Sequence, residues 1–470
     1  MSTELWRLSA VELARLIATR EISSVEAAES CLLRTRTVNP RINAVAEVLA
    51  ASAMAAALEA DAALARGERI GPLHGVPVTT KINVDQAGCA TTNGVRAYRD
   101  AIAQSDSPPV ANLRKAGAII IGRTNTAEFA YRWFTDNALH GRTLNPYDPS
   151  RTPGGSSGGA AAAVAVGMGP IAHANDQGGS IRYPAYACGV TGLRPSLGRV
   201  PAFNPSLPKE RPLGSIQLAS VQGPIARHVA DLRLALKALS APDVRDVWWT
   251  PAPLNFDTPA LGTKVAVCAE LPGYRVDPAV TTAVRQAARW LEDAGYVVEE
   301  TAPPPVRDAA DLWLALSMTE SRAGMLPTVQ EFGGESIKRA FASFYRNAPE
   351  LDLLGYVDAL SRRSTLLRAW LAFLERHPLL LMPVSLQRPF PIDADQHGDA
   401  AMRELLDAQA PLIAPAILGL PGLSVPTGMT EGVPIGVQLV AGRYQEPLCL
   451  AAGEAIEQRA SWNALVDLPA

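Results

Sequence analysis

The chain has 470 residues, 48% of them apolar and 19% charged, with a formal net charge of -3. A high apolar share and a charge share below the usual ~25% exclude a disordered chain. A near-neutral balance without a dense Lys/Arg block argues against a nucleic-acid partner.

At roughly 150 residues per domain, length alone suggests about three domains. The five cysteines, Cys31, Cys89, Cys188, Cys268 and Cys449, are odd in number and widely spaced. No CxxC pair occurs, so neither a zinc ribbon nor a disulfide framework is indicated, and a reducing compartment, the cytoplasm, is expected. The first ten residues contain Glu4 and Arg7 and no apolar core, so no secretory leader is expected. No apolar run reaches about 18 residues, so no membrane-spanning helix is expected.

Ser9-Ala10-Val11-Glu12 reads as a capping box opening a first helix, and Ser23-Ser24-Val25-Glu26 repeats it for a second. The second helix should stop before Asn39-Pro40. A third is predicted over 50–66, ended by Gly67. Strand character follows at 76–80, where Pro77 points to a strand start or an edge. Ser107-Pro108-Pro109 starts a helix to Ala116, and the apolar run 117–122 reads as a strand buried on both faces. A Gly/Ser tract at 153–159 leads into an Ala-rich helix to about Val166, and a second Gly/Ser turn sits at 178–180. Strand, helix and strand are predicted at 265–268, 281–294 and 296–299. Residues 308–375 read as mostly helical, and strands return at 379–383, 422–426 and 436–440. Helices alternating with short buried strands indicate an α/β fold.

Three features could carry chemistry: Lys81 after a strand, the serines of Gly154-Gly155-Ser156-Ser157-Gly158-Gly159, and Ser180. Each has an ordinary alternative. A lone Lys is usually a solvated charge, and a Gly/Ser tract is often a connector. Here the tract runs straight into a helix, the geometry of a backbone anion site. No Gly-Lys-Ser/Thr follows, which excludes a P-loop. Residues 154–158 also match G-x-S-x-G, the nucleophile elbow of α/β-hydrolases. That elbow must follow a strand and needs a histidine. Here the loop Asn145-Pro146-Tyr147-Asp148-Pro149 precedes it, and His173, His228, His377 and His397 lie in no recognisable context.

Pro153-Gly154-Gly155-Ser156-Ser157-Gly158-Gly159 and Asp176-Gln177-Gly178-Gly179-Ser180-Ile181-Arg182-Tyr183-Pro184-Ala185 together resemble the amidase signature family. Ser156 and Ser180 are 24 positions apart, the interval that family uses between its two serines. Leu73-His74-Gly75-Val76-Pro77-Val78 before Lys81 resembles its lysine motif. Residues 122–129, Asn145-Pro146, and the closing segments 419–426 and 432–439 fit as well. The resemblance spans nearly the whole chain and is strongest over 72–200.

The resemblance implies one large α/β/α domain over 1–470, with a mixed twisted sheet between helical layers. Within it, 1–66 would be a helical N-terminal layer, 67–240 the signature core and 300–410 a variable helical cover over the substrate. Ser180 would be the nucleophile, Ser156 a bridging serine after a cis peptide bond, and Lys81 the general base. The chemistry is coherent: a serine hydroxyl attacks only once a base takes its proton. Lysine can be that base where burial, here beside Val78 and Ile82, lowers its pKa. The amides of Gln177, Gly178, Gly179 and Ser180 would form an oxyanion hole. Ser157, Asp176 and Arg182 read as supports, and Ala130 and Tyr131 as the border of the acyl pocket. Trp133, Phe134, Trp313, Met318, Phe332 and Phe341 are either further pocket walls or core.

The sequence departs from the family pattern at Ile82, where Asp is usual, at Asn175 before Asp176, and at Ala416, where Asn is usual. The implied activity is hydrolysis of C–N bonds in small-molecule amides, carbamates (urethanes) or anilides, or of esters, with no metal or cofactor. A monomer or homodimer is expected. The alternative is the glutaminase subunit of a glutamine-dependent amidotransferase.

Overall fold

The computed structural model describes residues 4–68, 70–206, 214–257 and 261–468. Its strands are β1 (Val45–Val48), β2 (Pro77–Lys81), β3 (Ile119–Thr124), β4 (Ile171–Asp176), β5 (Thr191–Arg194), β6 (Val221–Ala226), β7 (Lys264–Val267), β8 (Val297–Glu300), β9 (Leu379–Pro383), β10 (Gly422–Thr430) and β11 (Val433–Ala441). Its helices are α1 (Ala10–Ala18), α2 (Ser24–Ile42), α3 (Ala50–Ala65), α4 (Pro108–Lys115), α5 (Gly158–Ala165), α6 (Arg182–Ala187), α7 (Gly214–Ala219), α8 (Val229–Leu239), α9 (Pro278–Asp293), α10 (Val306–Ala323), α11 (Met325–Phe332), α12 (Glu335–Asn347), α13 (Leu353–Arg376), α14 (Asp399–Ile417) and α15 (Glu446–Ala460).

The strands form one mixed sheet in the order β1-β3-β2-β4-β6-β5-β10-β11-β9-β7-β8. β2 runs parallel to both β3 and β4, and β7 parallel to both β8 and β9, whereas β10 and β11 are an antiparallel hairpin. Alternation along β4 and β6 divides the core into two layers. The paired Ile171 and Ala226 join the cluster that holds α8, while the paired Ala172 and Ile225 join the one that holds α5. This is the expected α/β/α architecture.

Both capping boxes form, with Ser9 and Ser23 each accepting from the N3 amide. The second helix does not stop before Asn39. It continues through Pro40 to Ile42, because Pro40 sits in the last turn and the exit is held from within. Asn39 Oδ1 accepts from the amides of Ala44 and Val45 at 2.9 and 2.8 Å, and Asn43 turns left-handed at φ 53°. The N-terminal stretch also supplies a strand, β1, paired antiparallel with β3 at the sheet edge.

Two features place the site. The parallel strands β2 and β4 end at Lys81 and Asp176, so their C-terminal ends open onto the same side, where α/β sheets collect their ligands. Beside them lies α5, whose Gly and Ala residues are all buried. Its small side chains allow close approach: a Cβ on Gly159 would lie 2.5 Å from Asn125 O and 2.6 Å from Ala44 O.

Candidate active site

Lys81 is fully buried at the end of β2. Its Nζ lies at hydrogen-bond distance from Ser156 Oγ (2.7 Å), Ser157 Oγ (2.9 Å) and Asn175 Oδ1 (2.7 Å). Burial drives its pKa well below the ordinary lysine value, against a smaller upward pull from the Asp176 charge. Ser156 follows a cis peptide from Gly155. Thr126 Oγ1 donates to Ser156 O at 3.0 Å, and Thr135 Oγ1 donates to Gly154 O at 2.9 Å, so the loop is held from the 126–135 segment.

The second loop is organised by Asp176. Its carboxylate accepts from Gly179 N at 2.8 Å and Ile181 N at 3.2 Å, from both Nε and a terminal nitrogen of Arg182 at 3.0 Å, and from Arg194 at 3.3 Å. The three side chains are fully buried. Despite burial, the two guanidinium groups hold the Asp176 carboxyl far below the usual carboxylate range. Burial brings Arg194 down to about 10. Arg182 also donates to Gln438 Oε1 at 2.6 Å, which ties the closing motif on β11 to the loop. Asp176 and Arg182 thus direct their polar atoms at each other, the loop backbone, Leu412 O and Gln438.

One expected oxyanion donor is already engaged. The Gly179 N–H is taken by the Asp176 carboxylate at 2.8 Å, and Gly179 itself is left-handed at φ 108°. The amides of Gln177, Gly178 and Ser180 remain from the expected set. Trp133 Nε1 donates to Gly178 O at 3.1 Å and fixes the tilt of that peptide.

A family model described as Amidase matches residues 26–450. The chain belongs to the amidase family. It is similar to indoleacetamide hydrolase from Bradyrhizobium diazoefficiens, 46% identical over 97% of this chain and 87% of that protein. It is 47% identical to an indoleacetamide hydrolase from Bradyrhizobium japonicum, over 78% of this chain and 79% of that one. Among solved structures, a bacterial aryl acylamidase of the amidase signature family superposes with a TM-score of 0.85 at 28% identity, covering 97% of both chains. This amidase is therefore an enzyme that hydrolyses amide C–N bonds.

Ser156, Asn175, Gln177 and Ser180 of the amidase line one cavity of about 230 Å³. Ala130 and Tyr131 line it too, and so do Phe129, Val84, Trp248 and Met325. Phe129 and Ala130 are both left-handed, at φ 54° and 56°, which turns this segment toward the cavity. The other aromatic candidates are walls behind the wall. Trp133 packs on Trp313 and Phe344, Phe134 stacks on Phe390, and Phe341 lies 4.5 Å from the Tyr131 ring centroid. Met318 is buried in the core, and Phe332 is 40% exposed. Among the described residues no histidine lines the cavity. His173, on β4, is buried against Gln222 and brought down to about 4 by burial. The α/β-hydrolase elbow therefore has no partner base here.

Asn175 and Asn83 were not among the sequence candidates. Asn175 touches Lys81, and its Nδ2 donates to Asn83 Oδ1 at 3.0 Å. The sequence signal for them was the departure from the family pattern at and beside these two positions.

Proposed function

We propose that this amidase hydrolyses the primary amide of a small, neutral aromatic acid, an arylacetamide such as indole-3-acetamide, through an acyl-enzyme on Ser180. The observation that carries the reading is a buried, deprotonation-prone Lys81 hydrogen-bonded to Ser156, which lines one cavity together with Ser180.

Lys81 withdraws the Ser156 proton, Ser156 withdraws that of Ser180, and Ser180 Oγ adds to the amide carbonyl. The negative oxygen is met by the amides of Gln177, Gly178 and Ser180. Ser156 then protonates the departing nitrogen, ammonia leaves, and the acyl group stays on Ser180. Water, deprotonated along the same path, adds to the ester and releases the acid with Ser180 restored.

The cavity supports a compact acyl group. Its ≈ 230 Å³ is below the ~300–1,000 Å³ typical of drug-sized ligands. Phe129, Tyr131, Met325 and Val84 offer apolar contact to an aromatic ring. Among the described lining residues Asp246 is the one charged group. Carbamates, anilides and esters share the reacting carbonyl and belong to the proposal as slower substrates. The helical stretch 308–375, expected as the cover of the leaving-group side, also packs Phe341 and Phe344 on the Tyr131 ring. We keep the cytoplasm, and a monomer or homodimer, as part of the same proposal.

Ammonia release from indole-3-acetamide and glutamine, with ethyl carbamate and a nitroanilide alongside, tests the reading. We expect kcat/KM for indole-3-acetamide to exceed that for glutamine by about 100-fold or more, the scale on which polar and apolar sites discriminate. Preference for glutamine would overturn it in favour of the amidotransferase alternative.

A further inference from the structure

The three oxygens around Lys81 Nζ are chemically different. A neutral amine has two N–H donors and one lone pair, and it acts as a base toward Ser156 only if the lone pair faces the Ser156 hydroxyl. A carboxamide oxygen has no hydrogen and can only accept. Asn175 Oδ1, at 2.7 Å, therefore occupies one N–H. The Ser157 hydroxyl donates to Asn175 O at 3.4 Å, which leaves its oxygen, 2.9 Å from Nζ, to accept the second. What remains for Ser156 is the lone pair.

The Asn175 amide is itself held in that orientation. Its Nδ2 donates to Asn83 Oδ1 at 3.0 Å, and Asn204 Nδ2 donates to Asn83 O at 3.1 Å. Asn83 lies two residues beyond Lys81, so the turn leaving β2 and the end of β4 clamp the lysine from both sides. Among the described residues the other titratable or charged groups that act on Lys81 are Asp176, engaged by Arg182 and Arg194, and His173, paired with Gln222.

We propose that Asn175 is a positioning residue that aims the Lys81 lone pair at Ser156 and, being uncharged, denies the lysine an anionic contact. This rests on the reading of Lys81 as the base acting through Ser156. It assigns a role to a side chain at which this sequence departs from its family's pattern.

The test is the pH profile of kcat/KM for ammonia release from indole-3-acetamide by the full chain, for the parent enzyme, Asn175→Asp, Asn175→Thr and Asn175→Leu. An opposite charge in contact raises a lysine pKa by about 1–3 units. Asn175→Asp should therefore move the acidic limb up by about one pH unit or more. Activity on the acidic limb should fall about tenfold for each unit of that shift and recover at higher pH. Asn175→Leu should lower plateau kcat about tenfold with KM nearly unchanged and no upward shift of the limb, and Asn175→Thr, which keeps an acceptor, should restore part of that loss. A purely structural role would lower the plateau of every variant and leave the limb in place, which would overturn the proposal. Full plateau activity in Asn175→Leu would overturn it as well. Ser180→Ala separates the two levels: an active Ser180→Ala enzyme sinks the catalytic reading itself, whereas an inactive one with an unmoved Asn175→Asp limb sinks this inference alone.

Discussion

Replacing Asp176 with Asn tests whether its charge holds the loop between β4 and α6. The carboxylate accepts two loop amides, Gly179 N at 2.8 Å and Ile181 N at 3.2 Å, and pairs with Arg182 and Arg194, all without exposure to solvent. In Asp176→Asn the two guanidinium groups keep neutral partners, Gln438 Oε1, Leu412 O, Leu420 O, Ala416 O and the backbone carbonyl of residue 176. Breaking a buried ion pair by removing one member costs about 3–5 kcal/mol, because a charge is left uncompensated. Unfolding entropy of about 2.1 cal/mol/K per residue gives about 1 kcal/mol/K for a chain of 470 residues. Differential scanning calorimetry should therefore show Tm lowered by about 3–5 °C. The remaining oxyanion amides lose their aim with the loop, and one misplaced donor is worth about 100–1,000-fold in kcat. A Tm within about 1 °C of the parent's, on that same conversion, together with an unchanged kcat, would rule out this role for the Asp176 charge.

Lys81→Ala should lower kcat/KM for ammonia release by about 100–10,000-fold, the usual worth of a general base. In the parent enzyme the sign of the pH dependence follows from burial. On the proposed mechanism the neutral amine is the active form, and burial depresses its pKa, so kcat/KM should rise with pH through that lowered pKa and then level off. A rate that falls steadily with pH across that range would contradict this. Trp133→Phe removes the donor to Gly178 O and keeps an aromatic ring in the core. Loss of one buried hydrogen bond, about 0.5–1.5 kcal/mol, should reduce kcat by up to about tenfold with little change in KM in steady-state assays.

Much of the site is legible because its residues sit in short, contiguous motifs. Ser156, Ser157 and Ser180 lie in glycine-rich turns whose backbone demands are local, and Lys81 ends an apolar strand. What the sequence does not show is how those turns share partners. The Gly179 amide looks like an oxyanion donor until the Asp176 carboxylate is seen beside it. Asn175 meets Lys81 only because β4 pairs in parallel with β2, a register that no local pattern encodes. β4 is not legible as a strand for a related reason. His173, Asn175 and Asp176 break its apolar run, and each is accommodated by a specific partner, Gln222, Lys81 or Arg182. The helix α14 carries Pro411 and Pro415, which on local rules argue against any helix. The carbonyl of Pro411 accepts from Gln438, so tertiary contacts override that preference.

Everything proposed for the chemistry turns on Ser180 carrying the acyl group. Rapid quenching of the enzyme during turnover of a nitroanilide, followed by peptide mass spectrometry, measures this directly. We expect an adduct with the mass of the acyl group on Ser180, formed by the parent and lost in Ser180→Ala together with amine release. An adduct on Ser156, or full turnover by Ser180→Ala, would show that Ser180 is not the nucleophile.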